Sequence, residues 1–117
     1  MFACPVCGYE TLFRQGDGDS CFLCGWIDNG QTEQEADECY GVNTESLTQA
    51  RVNFPKYYSY VRPHKDEHWF SMQKDVIEIQ KKIMSLFREI DNTDSVDEKK
   101  RLRENIRGLA YWTKWEP

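Results

Sequence analysis

Cys4-Pro5-Val6-Cys7-Gly8 returns as Cys21-Phe22-Leu23-Cys24-Gly25, with thirteen residues between the two motifs' facing cysteines. A C-x2-C turn brings two thiolates onto one ion, and the glycine behind it lets the backbone bend with NH groups toward the sulfurs. Together the knuckles read as a single tetrahedral zinc site with ligands Cys4, Cys7, Cys21 and Cys24. Four sulfurs fill the shell. No position is left for water or substrate, so the expected role is structural. A redox pair would normally sit on a strand-to-helix turn in a βαβ setting, which residues 1–40 lack. A disulfide framework would suit a secreted domain, but the cysteine count is five, which is odd.

Working outward, the cysteine-bearing segment is poor in core. Residues 1–40 offer Phe2, Tyr9, Leu12, Phe13, Phe22, Leu23, Trp26 and Ile27, too little to fold alone. Metal binding supplies the difference, on the order of 10 kcal/mol in zinc-finger-like sites. The whole chain has 117 residues, the length of one domain or of a small module with an appendage. It contains no run of eighteen apolar residues, and its amino terminus has neither a basic n-region nor an apolar h-region. The expectation is a cytoplasmic protein with no membrane span, its thiols kept reduced.

Charge is distributed unevenly. Residues 1–50 carry nine acids against one base, Arg14, a balance of −8; residues 51–117 hold fourteen Lys or Arg against eleven acids, a balance of +3. A divalent ion held by four thiolates adds about −2 to the first half. Such a module is ill suited to phosphate backbones and well suited to a basic partner.

Along the chain, the first knuckle leads into a short strand over Tyr9 to Arg14, and Gly16-Asp17-Gly18-Asp19 makes a turn. The second knuckle leads into a strand around Trp26-Ile27, closed by Asp28-Asn29-Gly30. This is a zinc ribbon, two hairpins clasping one ion. Residues 31–45 show no period and read as an acidic surface loop. Ser46-Leu47-Thr48-Gln49 has the form of a capping box, and the helix after it presents Leu47, Ala50, Arg51 and Phe54 on one face until Pro55 ends it.

The ordered set of Cys4-Pro5-x-Cys7-Gly8-Tyr9, Thr11-Leu12, the second knuckle with Trp26 and Asp28, Gly41-x-Asn43, Ser46-Leu47, Ala50-Arg51 and Asn53-Phe54 resembles the bacterial cysteine-rich CPCC family over residues 2–58. The family carries cysteine where this chain has Val6, so the resemblance implies that the middle position is not a ligand. Phe22 and Gly25 stand where proline and a large apolar residue are usual, and Val42 where proline is. What the resemblance implies about function is limited to small bacterial proteins, some of them near toxin and immunity genes.

Pro55-Lys56-Tyr57-Tyr58-Ser59-Tyr60-Val61-Arg62-Pro63 is an aromatic connector bounded by prolines, expected to pack onto the body. From Asp66, an expected N-cap, Trp69, Met72, Val76, Ile79, Ile83, Leu86 and Ile90 keep helical 3-4 spacing, widened by Phe70, Ile77, Met84 and Phe87. Asn92 reads as a left-handed stop, Ser95-Val96-Asp97-Glu98 as a second capping box, and a second helix follows from about Val96 to Trp115 with Leu102, Ile106, Leu109 and Ala110 inward. Gly108 costs about 1 kcal/mol against alanine and points to a close helix contact. The short turn predicts an antiparallel hairpin. Its apolar stripe is wider than two helices enclose, which predicts a further surface to meet: the ribbon, a second copy of the chain as a homodimer through the hairpin, or another protein.

The expected architecture is therefore α+β, with a zinc ribbon and short helix over 1–54, a connector over 55–65 and a helical hairpin over 66–117. The candidate partner surface is Asp28, Glu33, Glu35, Asp37 and Glu38, with Trp112 and Trp115 as docking aromatics. Cys39 reads first as a small buried hydrophobe, with a reactive thiol or a fifth sulfur near the metal as the alternatives. His64 and His68 have H-x3-H spacing but no further ligands in a recognisable motif. Lys99-Lys100-Arg101-Leu102-Arg103 with Arg107 is the one dense basic patch, read first as a solvated face paired to Asp97 and Glu104. No nucleophile with an adjacent base, no glycine-rich phosphate cradle and no open-shell zinc motif is present, so the chain is not expected to be an enzyme. The functional expectation is a protein-protein interaction module for a basic partner, of immunity type, with a nucleic-acid-binding zinc ribbon as the alternative.

Overall fold

The computed structural model describes residues 1–62 and 74–111. They belong to two compact units, each taken by itself below.

The first unit starts with two minimal hairpins. Strand β1 (Phe2–Ala3) pairs antiparallel with β2 (Glu10–Leu12), and β3 (Asp19–Ser20) with β4 (Ile27–Asp28). The knuckles repeat the same backbone bonds. Gly8 N donates to Cys4 O (2.8 Å) and Cys4 N to Tyr9 O (2.9 Å); Gly25 N donates to Cys21 O (3.0 Å) and Cys21 N to Trp26 O (2.8 Å). Gly8 and Gly25 sit at φ 81° and 86°, a region other residues avoid. The glycine NH groups thus close the turns on carbonyls, and in the second knuckle the NH groups of Leu23 and Cys24 point at the Cys21 sulfur, as expected from sequence.

Four short strands leave most backbone groups without ladder partners, and side chains take over. Asn43, fully buried, accepts from Ile27 N (3.1 Å) and donates to Ile27 O (2.9 Å), standing in for one residue of a third strand. Asp19 Oδ2 accepts from Phe13 N (2.6 Å) and Arg14 N (3.2 Å), tying the first hairpin to the second.

Residues 31–45 are more ordered than a plain loop. A single 3-10 turn covers Glu33–Glu35, and Glu35 reaches back to Thr32 N (3.1 Å). Gln31 Nε2 donates to the carbonyls of Glu35 (2.6 Å) and Glu38 (2.7 Å). Helix α1 (Leu47–Tyr57) follows, capped by the Ser46 hydroxyl on Gln49 N (3.1 Å). Only half of the expected box forms, because the Gln49 amide donates to Asn53 (3.0 Å) instead.

Pro55 does not end α1, which runs on to Tyr57 and stops at Tyr58 in the left-handed region (φ 55°), with Tyr58 N on Phe54 O (2.8 Å). Proline removes the NH that would meet Arg51 O, but its own φ is helical, and the buried Phe54 ring holds the preceding residue in place. The chain then returns to the second knuckle. Tyr60 N donates to Cys24 O (2.9 Å), Asn53 Nδ2 to Tyr60 O (3.0 Å), and the buried Tyr60 ring meets Trp26 edge-on at 5.7 Å. Of the expected connector, residues 55–57 belong to α1, and Ser59 and Tyr60 pack onto the body.

The core of this unit is Leu12, Leu23, Trp26, Leu47, Ala50, Phe54 and Tyr60. Phe2 and Phe13, two of the expected core residues, are 45% and 65% exposed. The covered positions of β2 are taken by Thr11 and Leu12, and Phe2 and Phe13 are left facing outward.

The second unit is a helical hairpin, α2 (Lys74–Asn92) packed antiparallel on α3 (Val96–Ala110). Ile83, Leu86 and Ile90 are buried from α2, Leu102 and Ile106 from α3. Gln80 is buried too, inside a stripe that the sequence pattern gave wholly to apolar residues. Asn92 stays right-handed, since Tyr58 is the sole non-glycine residue with positive φ among those described. The turn is made by Ser95 N on Thr93 Oγ1 (3.3 Å), and Ser95 caps α3 through Glu98 N (3.2 Å). Glu98 turns away to Arg101, so the second box is also half formed. A Cβ added at Gly108 would meet nothing within 4 Å, so no close helix contact explains that glycine. The expected Asp66 cap and the stripe residues Trp69, Phe70 and Met72 lie outside the described residues, as do His64 and His68 and the α3 extension through Trp112 to Trp115. No helix among the described residues is long and apolar enough to cross a membrane.

Candidate metal centre

The two hairpins place Cys4 and Cys7 from one knuckle against Cys21 and Cys24 from the other, with all four Sγ atoms within 4.8 Å of one another. The closest pairs cross between knuckles: Cys4 to Cys24 at 3.6 Å and Cys7 to Cys21 at 3.7 Å. A disulfide would need about 2.05 Å, and all five cysteines are free thiols. A tetrahedron of sulfurs about 2.3 Å from a central ion has edges of about 3.8 Å, close to what is seen. The donor set fits a four-coordinate thiophilic ion. Cys4, Cys21 and Cys24 are buried and Cys7 half-buried.

Charge inside the cluster argues the same way. Burial pushes the Cys21 thiol up, but bonds from Cys24, Cys4, Cys7 and Thr11 outweigh it and hold it well below the ordinary thiol value. Cys24 is raised by burial first and then by its bond to Cys21; Cys7 is raised chiefly by its bond to Cys21. A buried negative charge at Cys21 disfavours a second one beside it at Cys7 or Cys24. A divalent cation removes that conflict and deprotonates coordinating thiols. Bound there, it would supply folding free energy to a unit whose strands are two or three residues long.

The same arrangement is written into sequence order beyond the cysteines. The model of the cysteine-rich CPCC family matches residues 2–75, well over half of the chain. The chain belongs to the cysteine-rich CPCC family. No curated protein and no solved structure matches it. In this CPCC chain the motif's middle position is Val6, a buried side chain, and the four remaining cysteines complete the cluster without it.

Groups around the cluster were less legible in sequence. Cys21 Sγ accepts from Thr11 Oγ1 (2.9 Å), Leu23 N (3.3 Å) and Cys24 N (3.3 Å). Arg51 Nε donates to Pro5 O (2.9 Å) within the first knuckle, and its guanidinium grips Glu33 at 2.5 and 2.9 Å. Glu33 raises the Arg51 pKa most, with a smaller contribution from Cys4. The paired guanidinium is thereby tied to the backbone of the first knuckle. Arg51 could have been singled out as the lone base amid the acids of residues 15–55.

The expected partner surface divides. Asp28 is only 6% exposed, and its carboxylate accepts from Gly16 N (2.6 Å) and Gly30 N (3.4 Å). It organises the turn between β2 and β3 and does not belong to an exposed face. Glu33, Asp37 and Glu38 are exposed and Glu35 half-buried. Each has a local partner: Arg51 for Glu33, Thr32 and Tyr40 for Glu35, Thr48 (2.7 Å) for Asp37 and Tyr40 (2.9 Å) for Glu38. Trp112 and Trp115 lie outside the described residues. Cys39 is exposed, with Sγ 3.4 Å from Asn43 O, so it is neither the buried hydrophobe expected from sequence nor part of the cluster.

Proposed function

We propose that this CPCC chain is a non-enzymatic, zinc-stabilised interaction module that binds a basic protein in a reducing compartment. The observation that carries the reading is the four-sulfur cluster: a tetrahedral ion held by Cys4, Cys7, Cys21 and Cys24 has no open position for water or substrate. Zinc is the ion that most often takes such a shell. Residues 1–62 hold nine acids against four bases, and a four-thiolate zinc adds about −2 to that balance. The bonds of Thr32, Tyr40, Thr48 and Arg51 fix the carboxylates of residues 33–38 in place, so a cationic partner meets an ordered array. An immunity-type role, neutralising a basic toxin domain, is the specific form of this reading. Native mass spectrometry of protein from its own host, with and without chelator, tests it. One zinc per chain with a co-purifying basic protein, released by salt, is the expected result. Exchangeable solvent on the metal, seen as an anion-sensitive cobalt spectrum, would sink it in favour of catalysis.

A second reading rests on α3, where Lys100, Arg103 and Arg107 are exposed and, of the basic patch, Arg101 has an ion-pair partner in Glu98. It takes the chain as a nucleic-acid-binding zinc ribbon. Charge reversal at Lys100, Arg101 and Arg103 would then abolish nucleic-acid retention and flatten its salt dependence.

A further inference from the structure

We propose that Thr11 is a positioning residue of the metal centre, making Cys21 its anchored sulfur and leaving Cys7 as the ligand that yields first. The inference rests on the metal-site reading of the four cysteines. The two knuckles match bond for bond along the backbone, so any difference between their sulfurs comes from what surrounds them. Cys21 Sγ is held by three donors, Thr11 Oγ1 at 2.9 Å and the NH groups of Leu23 and Cys24 at 3.3 Å. Among the described residues, neither Cys4 nor Cys7 Sγ accepts a bond from a backbone NH or a hydroxyl.

Thr11 is well placed for this work. It sits in the middle of β2, in the other hairpin from Cys21, and is 1% exposed. A hydroxyl buried that deeply is costly unless bonded, and its acceptor is the sulfur. Branching at Cβ restricts its χ1, so the hydroxyl is aimed before any ion arrives. Thr11 therefore joins the hairpins through a ligand. Cys7 has no such donor among the described residues and is the half-buried member of the set, so solvent and competing ligands reach the ion on its side. Outer-shell partners of this kind change metal affinity by about 10- to 100-fold when removed.

The test uses the full zinc-loaded chain and three proteins: wild type, T11V, which keeps the shape and loses the hydroxyl, and T11S, which keeps the hydroxyl and loses the methyl. Zinc release to a chromophoric chelator is timed, and N-ethylmaleimide modification of each cysteine is followed by peptide mass spectrometry. In the wild type, exposed Cys39 is modified first, Cys7 leads the four ligands and Cys21 is last. T11V is expected to release zinc about tenfold faster and to lose the protection of Cys21, while T11S stays within about threefold of wild type and keeps the order. A T11V that assembles no site while T11S does also supports the assignment. Equal release from T11V and wild type overturns it, as does a T11S as fast as T11V, which would assign the effect to the methyl, or a wild type in which Cys21 reacts before Cys7. A wild type that holds no zinc defeats the metal reading itself, and is told apart because it appears before any variant is compared.

Discussion

Single side chains do much of the work of secondary structure in the first unit. Asn43 substitutes for a strand by bonding both backbone groups of Ile27, so Asn43→Ala is expected to destabilise the metal-loaded protein by about 2 kcal/mol, two neutral hydrogen bonds' worth. A denaturant midpoint that does not move would contradict that role. The carboxylates of residues 33 and 35 make a pH prediction. Arg51 holds Glu33 below its ordinary value of 4.5, and Tyr40 followed by Thr32 does the same for Glu35. A depressed folded pKa means the unfolded chain takes up protons first as pH falls. The stabilisation from both bonds is thus present above about pH 4.5 and is lost as pH drops through the folded values. Carboxyl chemical shifts followed by NMR should show both residues titrating below 4.5, with the Glu33 depression removed by Arg51→Ala.

At the scale of elements, the helices tolerate residues that propensity disfavours, and each is a place where stability can be gained. Gly108 in α3 has open space where a Cβ would go, so Gly108→Ala is expected to stabilise the hairpin by about 1 kcal/mol. A loss on thermal unfolding would mean that a contact does form there. Buried α2 and α3 residues should behave oppositely. Ile83→Ala leaves a cavity in a fully buried position and is expected to cost about 2–5 kcal/mol. The starts of α1 and α3 were legible because Ser46 and Ser95 announce themselves as caps, and the α2–α3 pairing because a short turn joins two amphipathic segments. The end of α1 was not legible. Proline's local preference argued for a stop at Phe54, and the burial of Phe54 with the docking of Tyr60 on Trp26 outweighed it.

For the molecule as a whole, the metal is the expected condition of folding in residues 1–62. Its ligands must be thiolates, so protons compete for them and affinity falls as pH falls. Removing the ion with chelator at neutral pH should raise the number of N-ethylmaleimide-reactive cysteines from one, Cys39, to all five. Protection of the four after chelation would mean that the apolar core suffices alone. The sequence by itself determined the four cysteines of the candidate metal site, the family, the hairpin of helices and the uneven charge, because each is carried by spacing or composition along the chain. Only the tertiary structure decided that Asp28 is a turn residue, that Cys39 is exposed, that Phe2 and Phe13 lie outside the core, and that Thr11 and Arg51 bond to the knuckles. Those roles depend on groups brought together from distant positions, Thr11 with Cys21 and Arg51 with Pro5. A hydrogen bond between residues ten or forty-six positions apart leaves no period or motif for sequence reading to find.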